Sequence, residues 1–140
     1  MNLKTKEKIF PKLNNYDNLQ YDNEGLYSIS HPDDANLISE FIEKYIGNKN
    51  INILDATAGL GGNSISFCRK FKSVTSIELD DKRFDMLVNN IKLYNFDNIK
   101  LINGNCIDFL NEKYDVYFFD PPWGGPDYKS HNNLELNLGG

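Results

Sequence analysis

Ile51-Asn52-Ile53-Leu54-Asp55-Ala56-Thr57-Ala58-Gly59-Leu60-Gly61-Gly62-Asn63 is the stretch on which the fold turns. The short apolar run Ile51 to Leu54 reads as a buried strand. It ends in a carboxylate and a glycine-rich turn that opens a helix over Asn63 to Phe71. The same rhythm continues downstream. Ser73 to Glu78 reads as a strand, Asp81 to Tyr94 as a helix with Phe84, Leu87, Val88 and Ile91 inward, and Ile99 to Ile102 as a third strand. Cys106 to Leu110 makes a helical turn or two before a fourth strand, Tyr114 to Phe119. Strands alternating with helices over short links specify an α/β fold, a parallel sheet flanked by helices and joined by right-handed crossovers. Ligands of such sheets sit beyond the carboxyl ends of the strands.

Upstream of this array, Ser30-His31-Pro32-Asp33 opens a helix that places Leu37, Ile38, Phe41, Ile42, Tyr45 and Ile46 on one face and stops at Gly47; this face is expected to cover the sheet. Residues 1–30 are polar, with a short helix over Lys4 to Phe10, Pro11, and a turn at Asn23-Glu24-Gly25. The chain thus divides into an N-terminal arm, residues 1–30, and a core, residues 31–140. At 140 residues it has the length of one domain, and 40% hydrophobic content suffices for a core. No apolar run approaches the roughly 20 residues of a membrane span, so no membrane partner is expected, and the reading is of an intracellular protein of nucleus or cytoplasm. Cys68 and Cys106 lie in helical segments without metal-ligand spacing and read as small buried residues, leaving no metal site. A formal charge of −5 argues against a protein that grips long nucleic acid, which needs a basic surface, and favours a small or terminal acceptor. Lys4, Lys6, Lys8 and Lys12 read first as a solvated face and second as an RNA contact.

Within the decisive turn, glycines let backbone approach a ligand and the helix N-terminus offers free N–H groups. Asp55 at the strand tip is a poor neighbour for a pyrophosphate but a good partner for a cationic amino-acid head group, which favours S-adenosylmethionine over a dinucleotide. Asp55, Thr57, Gly59, Gly61 and Asn63 are therefore the candidate cofactor-binding residues of the turn. Glu78, about twenty residues on at the second strand's tip, can accept both ribose hydroxyls, whereas Asp80 reads as the cap of the next helix. After the third strand, Asn105 occupies a place similar to one where S-adenosylmethionine-dependent methyltransferases often carry an Asp that accepts the adenine amino group; its side-chain oxygen can fill that role, cap the short helix, or do both.

The fourth strand runs into Asp120-Pro121-Pro122-Trp123-Gly124-Gly125-Pro126-Asp127-Tyr128. An aryl amine is a weak nucleophile because its lone pair is delocalised into the ring, so catalysis of its methylation is mostly positioning. Asp120 supplies an anionic acceptor, and the rigid Pro121-Pro122 step can aim a carbonyl at the amine without competing N–H donors. Trp123 offers a face on which a base can stack, with a cation-π gain of roughly 0.5–2 kcal/mol for a positively charged 7-methylguanine. The string is similar to the (Asp/Asn/Ser)-Pro-Pro-aromatic motif of methyltransferases that modify exocyclic base amines, and its extended form resembles the trimethylguanosine synthases. Asp55 to Asn63 and Glu24-Gly25-Leu26-Tyr27-Ser28-Ile29-Ser30 resemble two further segments of that family, so the likeness runs from about Phe10 to Tyr128.

The resemblance implies a Rossmann-like class I S-adenosylmethionine-dependent methyltransferase acting on the 2-amino group of 7-methylguanosine in an RNA cap. Capped RNA or a cap analogue would be the partner. It further implies Asp120, Pro121 and Pro122 as catalytic residues, Trp123 and Tyr128 against the cap base, and an arm over Phe10 to Ser30 that helps close the cap pocket. Family members often carry Ser at the place of Asp120, Asp at that of Asn105 and an aromatic at that of Leu26.

Methyltransferases of this class continue through three more strands, so the C-terminal strands are expected to be missing here. Tyr114 to Phe119 would then form an exposed apolar edge, and the chain would be a fragment, a degraded remnant, or a protein whose sheet a partner chain completes. The competing readings are a methyltransferase of another base amine, in DNA adenine or in tRNA or ribosomal RNA guanine, and a non-catalytic cofactor- or cap-binding fragment. The first would be expected to carry a basic nucleic-acid-binding element.

Overall fold

A computed structural model of the chain describes residues 1–121. Two short helices, α1 (Leu3–Ile9) and α2 (Asn23–Ser28), precede the long α3 (Pro32–Ile46). Then follow β1 (Asn52–Asp55), α4 (Gly62–Lys70), β2 (Ser73–Glu78), α5 (Asp81–Tyr94), β3 (Ile99–Asn103), a 3-10 turn over Cys106–Phe109, and β4 (Val116–Phe118). Among the described residues, the strands pair in parallel in the order β3-β2-β1-β4, with β4 beside β1. The chain reverses its direction of growth across the sheet between β1 and β4, and a crevice for ligands opens at such a switch point.

Strand alternation divides the core. Ile53 and Val74 pack with Ile42, Phe67, Cys68 and Phe71 on the helix-covered face, whereas Leu54 and Ile77 pack with Cys106 and Phe109 on the other. Both cysteines are buried, as expected from the sequence. The expected helix over Asp81 to Tyr94 forms at those bounds, its first turn capped by Asp80, whose carboxylate accepts the Arg83 amide at 2.8 Å.

Three expectations are corrected. The Asn23-Glu24-Gly25 turn is instead the first turn of α2, because Asp22 caps it by accepting the Gly25 amide at 2.8 Å. β4 is shorter than Tyr114 to Phe119. The third concerns α3, which ends at Gly47 in the left-handed conformation as expected but buries Ala35, Ser39 and Ile42; Leu37, Phe41 and Tyr45 are 62%, 68% and 80% exposed. α3 meets α4 through small residues, and the Ser39 and Ser66 hydroxyls share a hydrogen bond of 2.7 Å that larger side chains would prevent.

The arm packs against the body rather than hanging from it. Phe10, Tyr16 and Leu19 bury themselves with Leu60 of the glycine turn and Leu93 and Tyr94 of α5. Polar side chains of α5 close the seam: Asn90, fully buried, accepts the Gln20 amide and donates to the Gln20 carbonyl, both at 2.9 Å, and the Tyr94 hydroxyl donates to the Pro11 carbonyl at 2.6 Å. The lysines divide. Lys6 lies over the Tyr21 ring and donates to the Tyr16 carbonyl, while Lys4, Lys8 and Lys12 are exposed. Among the described residues, no helix is long and apolar enough to cross a membrane.

Candidate functional site

At the carboxyl end of β1, Asp55 enters the core at 1% exposure. Its Oδ2 accepts the Ser64 hydroxyl at 2.6 Å, and Ser64 in turn shares a hydrogen bond with Ser76 of β2. Oδ1 is buried without a well-formed partner; the Thr57 amide favours its charge without closing a hydrogen bond of ordinary geometry. Burial outweighs both donors and, with the nearby charges of Asp120 and Glu78, pushes the Asp55 carboxyl up to about 7. Three carboxylates thus converge on the strand tips and repel one another, an arrangement that a cationic ligand would relieve.

The turn after Asp55 depends on backbone that side-chain-bearing residues adopt poorly: Gly59 and Gly61 have φ of 58° and 102°. A Cβ on Gly59 would meet nothing within 4 Å, so the ligand side of that residue is open. Gly62 is needed for another reason, since a Cβ there would stand 2.7 Å from the Ser30 carbonyl of the arm. Glu78, at the tip of β2 and 9% exposed, accepts the Gly59 amide at 3.0 Å on Oε1 and the Asp80 amide at 2.9 Å on Oε2. Burial raises its pKa, against those two amides and Arg83. Each carboxylate oxygen keeps a further acceptor position.

Asp120, just past β4, faces the same turn. Its amide donates to Thr57 Oγ1 at 2.6 Å, and its Oδ2 accepts the Ser30 hydroxyl at 3.3 Å. Ser30 Oγ also accepts Asn63 Nδ2 at 2.9 Å, while Asn63 Oδ1 is buried without a partner. Burial raises the Asp120 pKa and the Ser30 donor lowers it. Asn105 caps the 3-10 turn by accepting the Ile107 amide at 3.0 Å.

The structure therefore brings together Asp55, Thr57, Gly59, Gly61, Asn63, Glu78 and Asp120 around one strand-end crevice, with Pro121 following Asp120. Asn105 stands after β3 on the same edge. Pro122, Trp123 and Tyr128 lie outside the described residues. Sequence reasoning missed Ser30, Ser64 and Arg83. A lone serine leaves no periodic signal. Arg83 did leave one: it shares the inward face of α5 with Leu87, Asn90 and Ile91, where a charge demands a partner. It finds Asp22, Glu24 and Glu78. Orphaned Asp55 Oδ1 and Asn63 Oδ1, the open Gly59 and the excess of carboxylates fit a cationic nucleoside cofactor such as S-adenosylmethionine.

Residues 50–138 match the family described as RNA cap guanine-N2 methyltransferase. An uncharacterised protein of Acanthamoeba polyphaga mimivirus is 46% identical over 94 residues, covering 64% of this chain and 37% of that one. Trimethylguanosine synthase of Schizosaccharomyces pombe is 34% identical over 93 residues, covering 61% and 38%. The chain spans well under half the length of these relatives. A solved structure from Pyrococcus horikoshii, described as a candidate RNA methyltransferase, superposes with a TM-score of 0.54 over 82% of this chain and 56% of that one. At 21% identity that likeness concerns the fold alone, a Rossmann-like parallel sheet flanked by helices.

Proposed function

The chain belongs to the RNA cap guanine-N2 methyltransferase family, and from that premise we propose that it transfers a methyl group from S-adenosylmethionine to the exocyclic 2-amino group of a 7-methylguanosine cap. The observation that carries this reading is the hydrogen bond from the Asp120 amide to Thr57, which seats Asp120 against the glycine turn. Acceptor and methyl donor would then meet in one crevice.

When bound, the cofactor supplies an electrophilic methyl on a sulfonium. Asp55 Oδ1 holds its ammonium group, whose charge offsets the repulsion among the three carboxylates and keeps Asp55 ionised. Glu78 accepts the ribose hydroxyls, Asn105 the adenine amino group, and Gly59, Gly61, Thr57 and Asn63 shape the turn beneath. Asp120 would accept a hydrogen bond from the amine through its carboxylate and take the proton that the nitrogen sheds as the methyl passes to it and the S–C bond breaks, leaving a neutral thioether; its raised pKa suits that exchange. Pro121 and Pro122 hold the loop for a second, carbonyl contact, and Trp123 and Tyr128 pack the positively charged base. Capped RNA is the partner, in nucleus or cytoplasm. The arm, residues 1–30, serves as a wall of the core, residues 31–140.

Calorimetric titration with S-adenosylhomocysteine, then 7-methyl-GTP, then GTP tests this reading. Binding of the first two, with 7-methyl-GTP clearly preferred over GTP, supports it. Cofactor binding without that preference would transfer the reading to another base amine.

A further inference from the structure

Arg83 is one guanidinium among three carboxylates. It is 7% exposed on the first turn of α5, and it is a point where arm and cofactor wall touch the same side chain. Toward the arm it makes a two-pronged contact with Asp22, Nε to Oδ1 at 3.2 Å and Nη2 to Oδ2 at 2.9 Å, and Nη2 also donates to Glu24 at 3.0 Å. Toward the sheet, Nη1 stands 3.8 Å from Glu78 Oε2, an ion pair longer than a hydrogen bond. The planar fork matches a carboxylate on two atoms, which lysine cannot do.

The arm side of this cluster is built for contact. Asp22 caps α2 with the same oxygen that receives Arg83 Nε. Gly25 has no room for a side chain, since a Cβ would fall 2.7 Å from Leu60. Seating α2 on the glycine turn therefore brings Asp22 and Glu24 to Arg83. With the arm seated, they hold the guanidinium at a distance from Glu78 that favours the carboxylate's charge but leaves Oε2 an open acceptor position. Were the arm to lift, Arg83 would lose its two nearest anions and turn to Glu78, occupying that oxygen.

We propose that Arg83 is a positioning residue that couples seating of the N-terminal arm to cofactor binding at Glu78. The inference rests on the reading of Glu78 as the ribose ligand. Because linkage is reciprocal, cofactor binding also tightens the arm.

The test measures S-adenosylhomocysteine affinity by calorimetry, and hydrogen exchange of the residue 22–30 amides with and without that ligand, in the parent chain and four variants. In the parent, the ligand slows exchange in the arm. Arg83→Gln weakens binding about tenfold, within the ordinary range for coupled sites, and abolishes the ligand's effect on the arm; Arg83→Lys regains part of both. Glu24→Gln, at a carboxylate that is 59% exposed and whose loss spares the core, weakens binding about threefold by the same coupling. The proposal is overturned if Glu24→Gln and a folded Arg83→Lys both bind like the parent, or if the ligand leaves arm exchange unchanged in the parent. Glu78→Gln separates the two layers. Unchanged affinity there sinks the ribose assignment itself, while a loss there with none in the Arg83 and Glu24 variants sinks only the coupling.

Discussion

The two walls of the crevice are built differently. On the wall proposed for the cofactor, Asp55 and Glu78 are 1% and 9% exposed, and their donors, Ser64, Gly59 and Asp80, lie within 19 residues of them, from the turn after β1 to the cap of α5. On the wall proposed for the acceptor, Asp120 is half-buried and held by Thr57, 63 residues earlier, and by Ser30, 90 residues earlier. The hydrogen bonds of the first wall close among residues near in sequence, with Arg83 linking that wall to the arm. The second is complete only when β4 has joined β1 and the arm has docked, so cofactor binding and transfer should fail separately when the walls are cut separately.

The largest effect is expected on the acceptor wall. Asp120→Ala lowers methyl transfer to 7-methyl-GTP by about 10³-fold, as for a group that both orients the amine and takes its proton, while S-adenosylhomocysteine affinity stays near the parent value. A parallel loss of affinity would show that the walls are not separable.

Asp55→Asn, on the other wall, weakens cofactor binding by about 10²-fold, the loss of one buried charge contact to an ammonium, yet stabilises the free protein. The sign follows from burial. The folded carboxyl titrates near 7 instead of its ordinary 3.8, so native Asp55 keeps a proton the unfolded chain has released, and its stabilising contribution fades as pH rises through 7. Thermal melts should therefore favour Asp55→Asn at pH 8, with the advantage shrinking toward pH 5. Parent affinity for S-adenosylhomocysteine should rise between pH 6 and 8 as Asp55 ionises, and that slope should vanish in Asp55→Asn.

Ser30→Ala tests whether the arm holds the acceptor wall. Losing a hydrogen bond to a carboxylate of about 1.5 kcal/mol lowers kcat roughly tenfold, with cofactor affinity unchanged; a change in affinity instead would assign Ser30 to the other wall through Asn63. The smallest effect is expected of Trp123→Ala, which should reduce 7-methyl-GTP affinity about fivefold through lost cation-π stacking and hardly touch GTP. Equal losses for both nucleotides would remove the charge from the explanation.

Legibility in the sequence followed distance along the chain. β2 and α5 could be placed residue for residue, because strand and helix periods are local properties of a dozen residues. The turn from Asp55 to Asn63 and the Asp120 step announced themselves because chemistry was written into consecutive positions. α3 misled, since its large residues Leu37, Phe41 and Tyr45 outweigh Ala35 and Ser39 in any apolar count, yet close packing on α4 selects the small ones. The docking of the arm left no local signal, since the segment is polar and without apolar period, and Asn90, Tyr94 and Arg83 satisfy its backbone and carboxylates from α5.

By itself, then, the sequence determined the order and type of the elements from α3 to β4 and the residues at the strand tips, because backbone periodicity and turn chemistry act between near neighbours. Only the tertiary structure decided which face of α3 is buried, that Ser30 stands between Asn63 and Asp120, and that Arg83 joins the arm to Glu78. Those contacts link residues up to 90 positions apart, and their stability comes from burying charge and hydroxyl groups with matching partners, a condition that no local pattern encodes.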